Sequence, residues 1–155
     1  MPYQNQTLLQ TKLHRPPITR SLIARPHLIE QLNSGINRPL TLVCAAAGYG
    51  KTTLVGSWLE GASSSQPAEA NTLPAAWLSL DENDSNLQLF LQYFVAALRT
   101  IFTDACSETL ALLHEMVQPP PIALYTTLNN EIEQLSGSFI LVLDDYHTIH
   151  DVEVH

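Results

Sequence analysis

Two glycines one residue apart, Gly48 and Gly50, stand between an apolar run, Leu40 to Cys44, and a helical pattern that begins at Lys51. Few other features constrain a fold so tightly. Glycine permits backbone angles and a close approach that a side chain would forbid, so successive N–H groups can turn inward together. A helix starting at Lys51 adds the positive end of its dipole at the same point. Such a nest of donors suits an anion. The backbone from Ala47 through Gly50 would cradle phosphate oxygens, Lys51 would reach the β and γ phosphates as a point charge, and the Thr52 hydroxyl would ligate a bridging Mg2+. Thr53 would only start the helix. The strict pattern G-x-x-x-x-G-K-[ST] asks for glycine where Ala45 stands. The shorter G-x-G-K-[ST] still arises by chance in a chain of this length on the order of one time in a hundred or less. Its plain structural alternative is a glycine turn that ends a strand.

A second signal is Phe139 to Leu143, an unbroken apolar run that ends in two adjacent carboxylates, Asp144 and Asp145. In open parallel sheets ligands bind beyond the carboxyl ends of strands, so these aspartates are expected on the same edge as Gly48 to Thr52. Asp144 would hold magnesium through water, and Asp145 would orient or deprotonate the attacking water. Together the two segments read as the Walker A loop and Walker B strand of a P-loop nucleoside triphosphatase, with Lys51 and Asp145 as catalytic candidates. His147, His150 and His155 lie near Asp144, Asp145 and Asp151, but no cysteine joins them in a zinc-binding spacing. His147 is a candidate nucleotide sensor, or a surface or capping histidine.

The remaining pattern is consistent with an α/β sheet. Residues 1–25 are polar and punctuated by Pro16-Pro17, which suggests an extended arm. Pro26 suits a first helical position, and Leu28, Ile29 and Leu32 with Gly35 beyond them predict a short helix. Leu40 to Cys44 reads as a strand buried on both faces, and Lys51 to Glu60 as a helix. Gly61 to Pro74 reads as a loop, and Ala76 to Leu80 as a second strand. Asp84 or Ser85 would then cap an amphipathic helix carrying Leu87, Phe90, Leu91, Phe94, Val95, Leu98, Ile101 and Phe102 on one face. Helices over Ser107 to Met116 and through Leu124, Leu128, Ile132 and Leu135 precede the strand at Phe139. Strands alternating with helices imply a parallel sheet with flanking helices, P-loop NTPase-like and incomplete at about three strands.

Charge limits the partners. Up to Lys51 there are six basic residues and one acid; from Thr52 onward only Arg99 is basic, against fourteen acids. The acidic part cannot hold nucleic acid by charge, so no direct nucleic-acid binding is expected. No uncharged apolar stretch approaches the roughly 20 residues needed to span a bilayer, so no membrane is expected and a cytoplasmic location fits. Cys44 and Cys106 have no C-x-x-C spacing, in keeping with a reducing compartment.

With these motifs placed, the chain resembles the MalT-like signal-transducing ATPases of the STAND class. These are bacterial, LuxR-family regulators whose ATPase domain leads into a repeat sensor and often a DNA-binding domain. The resemblance runs through Leu8 to Leu13, Leu22 to Pro26, Leu40 to Val43, Ala47 to Thr53, Trp77 to Asp81 and Leu141 to His147. The family often lacks glycine at the position of Ala45, whereas Ala46 replaces its usual proline. The resemblance implies ATP and ADP as cofactors with Mg2+, an adenine pocket partly built from Leu22 to Leu28, and a switch between ADP-bound and ATP-bound states, with self-association open to the latter. Arg25 would touch the nucleotide or cap the helix at Pro26. On this resemblance residues 26–155 are part of the ATPase domain, ending after the magnesium strand, with turnover expected to be weak or nil. Two alternatives stay open: a small P-loop phosphotransferase of the kinase kind, and a non-catalytic interaction protein with a relic loop. A kinase needs several cations on a closing lid, and after Thr52 only Arg99 is available.

Overall fold

The computed structural model of the chain describes residues 8–18, 23, 25–64, 73–115, 117 and 119–154. It divides into two compact units, one formed by Arg15–Thr72 and the other by Met1–His14 with Leu73–His155.

The Arg15–Thr72 unit is helical. Helix α1, Pro26–Ser34, starts on the predicted proline and stops at Gly35, whose N–H returns to the carbonyl of Gln31. Helix α2, Lys51–Ser64, begins at the predicted lysine and runs past Glu60 into the stretch expected to be loop; residues 65–72 lie outside the described residues. Among the described residues of this unit Leu32, Trp58 and Leu59 are the buried apolar side chains, and the Trp58 indole donates to Asn33 Oδ1 at 2.7 Å. Gly56 faces Ile18: a Cβ there would lie in ordinary contact with Ile18 Cδ1 at 3.4 Å. Arg15 donates to the Gly56 carbonyl and pairs with Glu60.

Leu40 to Cys44 departs from expectation. The segment forms no strand, and Leu40 and Leu42 are 78% and 77% exposed rather than buried. An apolar run becomes a strand only when a neighbour satisfies its backbone groups, and the described residues of this unit contain helices alone.

The other unit holds a two-stranded parallel sheet of β1, Ala75–Ser79, and β2, Ile140–Asp144, with Trp77 opposite Val142 and Ser79 opposite Asp144. Ala76, Trp77 and Leu78 are buried in succession, the mark of a strand covered on both faces. Helix α3, Leu87–Arg99, supplies Phe90, Leu91, Val95 and Leu98 to the core as its spacing predicts. Its cap differs: Asn86 accepts from the Leu89 N–H, while Asp84 and Ser85 belong to a separate turn of 3-10 helix, Glu82–Ser85. Helix α4, Ser107–Leu113, ends earlier than predicted, and helix α5, Pro121–Glu133, buries Leu124 and Leu128. The start of the chain is not wholly extended, because Gln10–Leu13 form a 3-10 turn with Leu13 in this core.

Two polar groups organise the helical layer. The Glu131 carboxylate accepts from the N–H groups of Glu108 and Thr109 and from the buried Thr109 hydroxyl at 2.6 Å, capping α4 from α5. Arg99 donates to the Ala105 carbonyl at 2.8 Å and to the Ser107 hydroxyl at 3.0 Å, fixing the turn between α3 and α4. Cys106 sits in that turn with φ 55°, and burial pushes its thiol up to about 11.

Candidate functional site

The predicted site residues fall in both units, Arg25 and Ala47 to Thr53 in one, Asp144 and Asp145 in the other.

In the first, Gly48 and Gly50 both adopt left-handed backbone angles, φ 81° and 77°. A side chain is strained there, which is the local reason for glycine at both positions. The Tyr49 N–H reaches back to the Ala46 carbonyl at 3.4 Å, and the Leu54 N–H to the Gly50 carbonyl at 2.8 Å, so the turn passes directly into α2. The Lys51 ammonium folds over the loop and donates to the carbonyls of Ala45 at 2.9 Å and Ala46 at 3.4 Å. Ala45, Ala46, Ala47, Gly48 and Tyr49 are exposed, and Thr52 and Thr53 half-buried, in the first turn of α2.

Arg25 comes to the same loop. It stands before α1 without a side-chain cap bond, and its Nη1 donates instead to the Tyr49 carbonyl at 3.0 Å. Its Nη2 lies 3.9 Å from where a Cβ on Gly50 would be. Two cations and the start of a helix thus surround a turn whose backbone is open to water. The donor set fits a polyanion: cationic side chains, a helix N-terminus and glycines that leave space for it. Of the proposed adenine segment, Leu22 and Ala24 lie outside the described residues.

In the second unit, β2 ends on the Asp144–Asp145 pair. The Asp144 carbonyl accepts from the Leu80 N–H at 3.0 Å, prolonging the sheet by one bond beyond Ser79. Asp144 Oδ1 accepts from the Asp145 N–H at 3.2 Å, and Asp145 takes left-handed angles, φ 57° and ψ 31°. That reversal turns the chain into the 3-10 turn Tyr146–Thr148, closed by Thr148 N–H and hydroxyl bonds to the Asp145 carbonyl. His147 Nδ1 is 3.9 Å from Asp145 Oδ1, with both side chains at least half exposed. Both aspartates therefore lie at the carboxyl end of their strand, where oxygen donors can meet a hard cation. Among the described residues no group of three or more His, Cys, Asp or Glu side chains is arranged to hold a metal by itself.

Sequence reasoning missed one polar centre. Lys12 is one of the six basic residues up to Lys51, and its side chain is only 12% exposed. It bridges Asp81 at 2.8 Å and Asp84 at 2.6 Å. The signal available was the pair Asp81 and Asp84 flanking the end of a predicted strand, but their partner lies about seventy residues away.

No family model matches the chain. Among curated proteins it is 34% identical over 148 residues to the HTH-type transcriptional regulator MalT of Yersinia pestis (strain Pestoides F), covering 96% of this chain and 15% of that relative. It is 33% identical over 148 residues to the MalT of Yersinia enterocolitica serotype O:8, with the same coverage. The chain is MalT-like over nearly its whole length, as the motifs implied, and spans 15% of the length of the curated relatives it matches. No helix among the described residues is long and apolar enough to cross a membrane.

Proposed function

We propose that the chain is the nucleotide-binding part of a MalT-like transcriptional regulator, holding ATP or ADP with Mg2+ as a switch and turning nucleotide over slowly. The observation that carries this is the loop itself: two left-handed glycines, the start of α2, Lys51 folded onto the loop carbonyls and Arg25 bonded to Tyr49. On binding, Lys51 would exchange two neutral carbonyl acceptors for phosphate oxygens, a stronger, charge-assisted contact. Thr52 and Asp144 supply oxygen donors suited to Mg2+, which when bound would neutralise phosphate charge. Asp145 would orient water. Arg99, the one cation after Thr52, is occupied by Ala105 and Ser107, which weighs against a phosphotransferase lid.

The regulatory role comes from the name of the relatives, HTH-type transcriptional regulators, and extends to this chain as part of the same proposal. Isothermal titration with ADP and ATP, each with and without magnesium, tests it. Saturable binding of both, with a magnesium-dependent gain for ATP, is expected; no heat from either nucleotide would overturn the assignment.

A further inference from the structure

Lys12 occupies a closely built position. Its ammonium lies between Asp81 Oδ2 and Asp84 Oδ2 and 4.7 Å above the Tyr93 ring, while the Leu9 N–H donates to the Tyr93 hydroxyl at 3.1 Å. Asp84 is fully buried; its Oδ2 also accepts from the Asp81 N–H at 2.8 Å, and its Oδ1 has no partner. Asp81 in turn accepts from the Asn83 N–H at 2.9 Å, so the two carboxylates form a reciprocal cap on the Glu82–Ser85 turn. Without the ammonium, two carboxylates would face each other with one of them buried, an arrangement that must either take up a proton or shift the turn.

That turn brackets the acidic corner. Immediately before it, Leu80 donates to the Asp144 carbonyl; at its far end, the Ser85 hydroxyl accepts from the His150 N–H at 3.2 Å. Both ends of the stretch from Asp144 to His150 are thus bonded to the segment from Leu80 to Ser85. Between them lie left-handed Asp145 and the Tyr146–Thr148 turn, followed by buried Ile149.

We propose that Lys12 is a positioning residue: by clamping Asp81 and Asp84 it fixes the turn that holds both ends of the Asp144–His150 corner. The functional meaning rests on the assignment of Asp144 and Asp145 to the metal and water side of a nucleotide site, but the mechanical claim does not. In this proposal the ion pair contributes defined geometry more than net stability. The segment from Leu9 to Leu13 is then a working part of the acidic edge.

The test is hydrogen exchange on the full chain, comparing Lys12→Met, which keeps the aliphatic stem, with Lys12→Arg, which keeps the charge. In Lys12→Met, amides from Asp144 to His150 should exchange at least about fivefold faster, while those of α3 change less than about twofold, since local opening need not spread to the core. Lys12→Arg should restore most of the protection. Unchanged exchange in the corner, or equal acceleration in the corner and α3, overturns the proposal. Should Lys12→Met not fold, Asp81→Asn, which removes only the half-exposed carboxylate, should show a smaller acceleration confined to the corner, and its absence would count equally against the proposal. Titration of the same proteins with ATP separates the two claims. Lys12→Met should lose most of the magnesium-dependent gain and little metal-free affinity. If the parent chain binds no nucleotide, the proposed function fails and the exchange data still decide the role of Lys12.

Discussion

The Lys51 ammonium stands 2.9 Å from the Ala45 carbonyl oxygen, six residues back along the same loop. It therefore closes the turn in which it is embedded, and under the proposed function an incoming phosphate would draw it from those carbonyls. If the loop holds phosphate as proposed, replacing Lys51 with alanine removes a charged donor to it, a contact worth on the order of 1.5 to 3 kcal/mol. Lys51→Ala should weaken triphosphate binding at least about tenfold by titration. Unchanged affinity would remove the loop from the site.

Arg25 gives a second measurable separation. Its bond to the Tyr49 carbonyl is exposed, so water replaces it readily and Arg25→Ala should alter stability by less than about 0.5 kcal/mol. A guanidinium that meets phosphate contributes more than that. ADP affinity should therefore fall roughly threefold to tenfold while the melting temperature barely moves. Loss of stability with intact affinity would make Arg25 a brace for the loop and nothing more.

Thr52→Ala and Asp144→Asn should act through the metal. Each removes or neutralises an oxygen donor suited to Mg2+, so each should reduce the magnesium dependence of ATP binding more than the binding of metal-free nucleotide. Titrations in EDTA and in excess magnesium distinguish this from general damage, which would lower both alike.

Local rules made much of the fold legible. Pro26 and Gly35 bound α1, Lys51 opens α2, the three-and-four spacing from Leu87 marks α3, and Phe139 to Leu143 falls within one residue of β2. Leu40 to Cys44 reads as a strand and forms none, because composition reports a strand's tendency to burial but not whether a neighbour exists to pair with it. The glycines announced the loop, since left-handed angles leave a mark in residue type. Arg25 on Tyr49 and Lys12 on Asp81 and Asp84 left none. Those bonds join residues 24, 69 and 72 positions apart, and side-chain chemistry alone does not select among the possible partners.

Glu131 is the remaining structural test. It serves two N–H groups at the start of α4 and the buried Thr109 hydroxyl, so its loss leaves several donors without an acceptor. Glu131→Ala should destabilise the chain by about 1 to 3 kcal/mol in urea unfolding, and Glu131→Gln by less. A change within error would mean that α4 contributes little to cooperative folding.

The dependence of stability on pH should have two separable limbs. For Glu131, burial favours the neutral acid, but hydrogen bonds from the Thr109 hydroxyl and from the Thr109 and Glu108 N–H groups outweigh it, and its pKa lies below the ordinary 4.5. The hydrogen bond from Lys12 likewise holds Asp81 below 3.8. A carboxylate whose folded value is depressed contributes stability that is complete above the unfolded value and disappears as pH falls through the folded one. The acid limb should therefore begin near pH 4.5 and be shallower in Glu131→Gln. Lys12 has the opposite sign. Burial opposes its charge, yet hydrogen bonds to Asp81 and Asp84 and the attraction of both carboxylates raise it above 10.5. Its contribution is complete below 10.5 and vanishes as pH rises through the folded value. Cys106, raised from 9.0 to about 11 chiefly by burial, and Tyr125, raised above 10.0 by burial and by Glu153 and Asp151, weaken the fold in the same direction at high pH. The alkaline limb is thus composite, and Lys12→Met should remove only its upper part, leaving the onset near pH 9 in place. Urea midpoints measured from pH 3 to 11.5 in the parent and the two variants provide the check. An alkaline limb of the same depth in Lys12→Met would show that the ammonium is not held by Asp81 and Asp84 in solution.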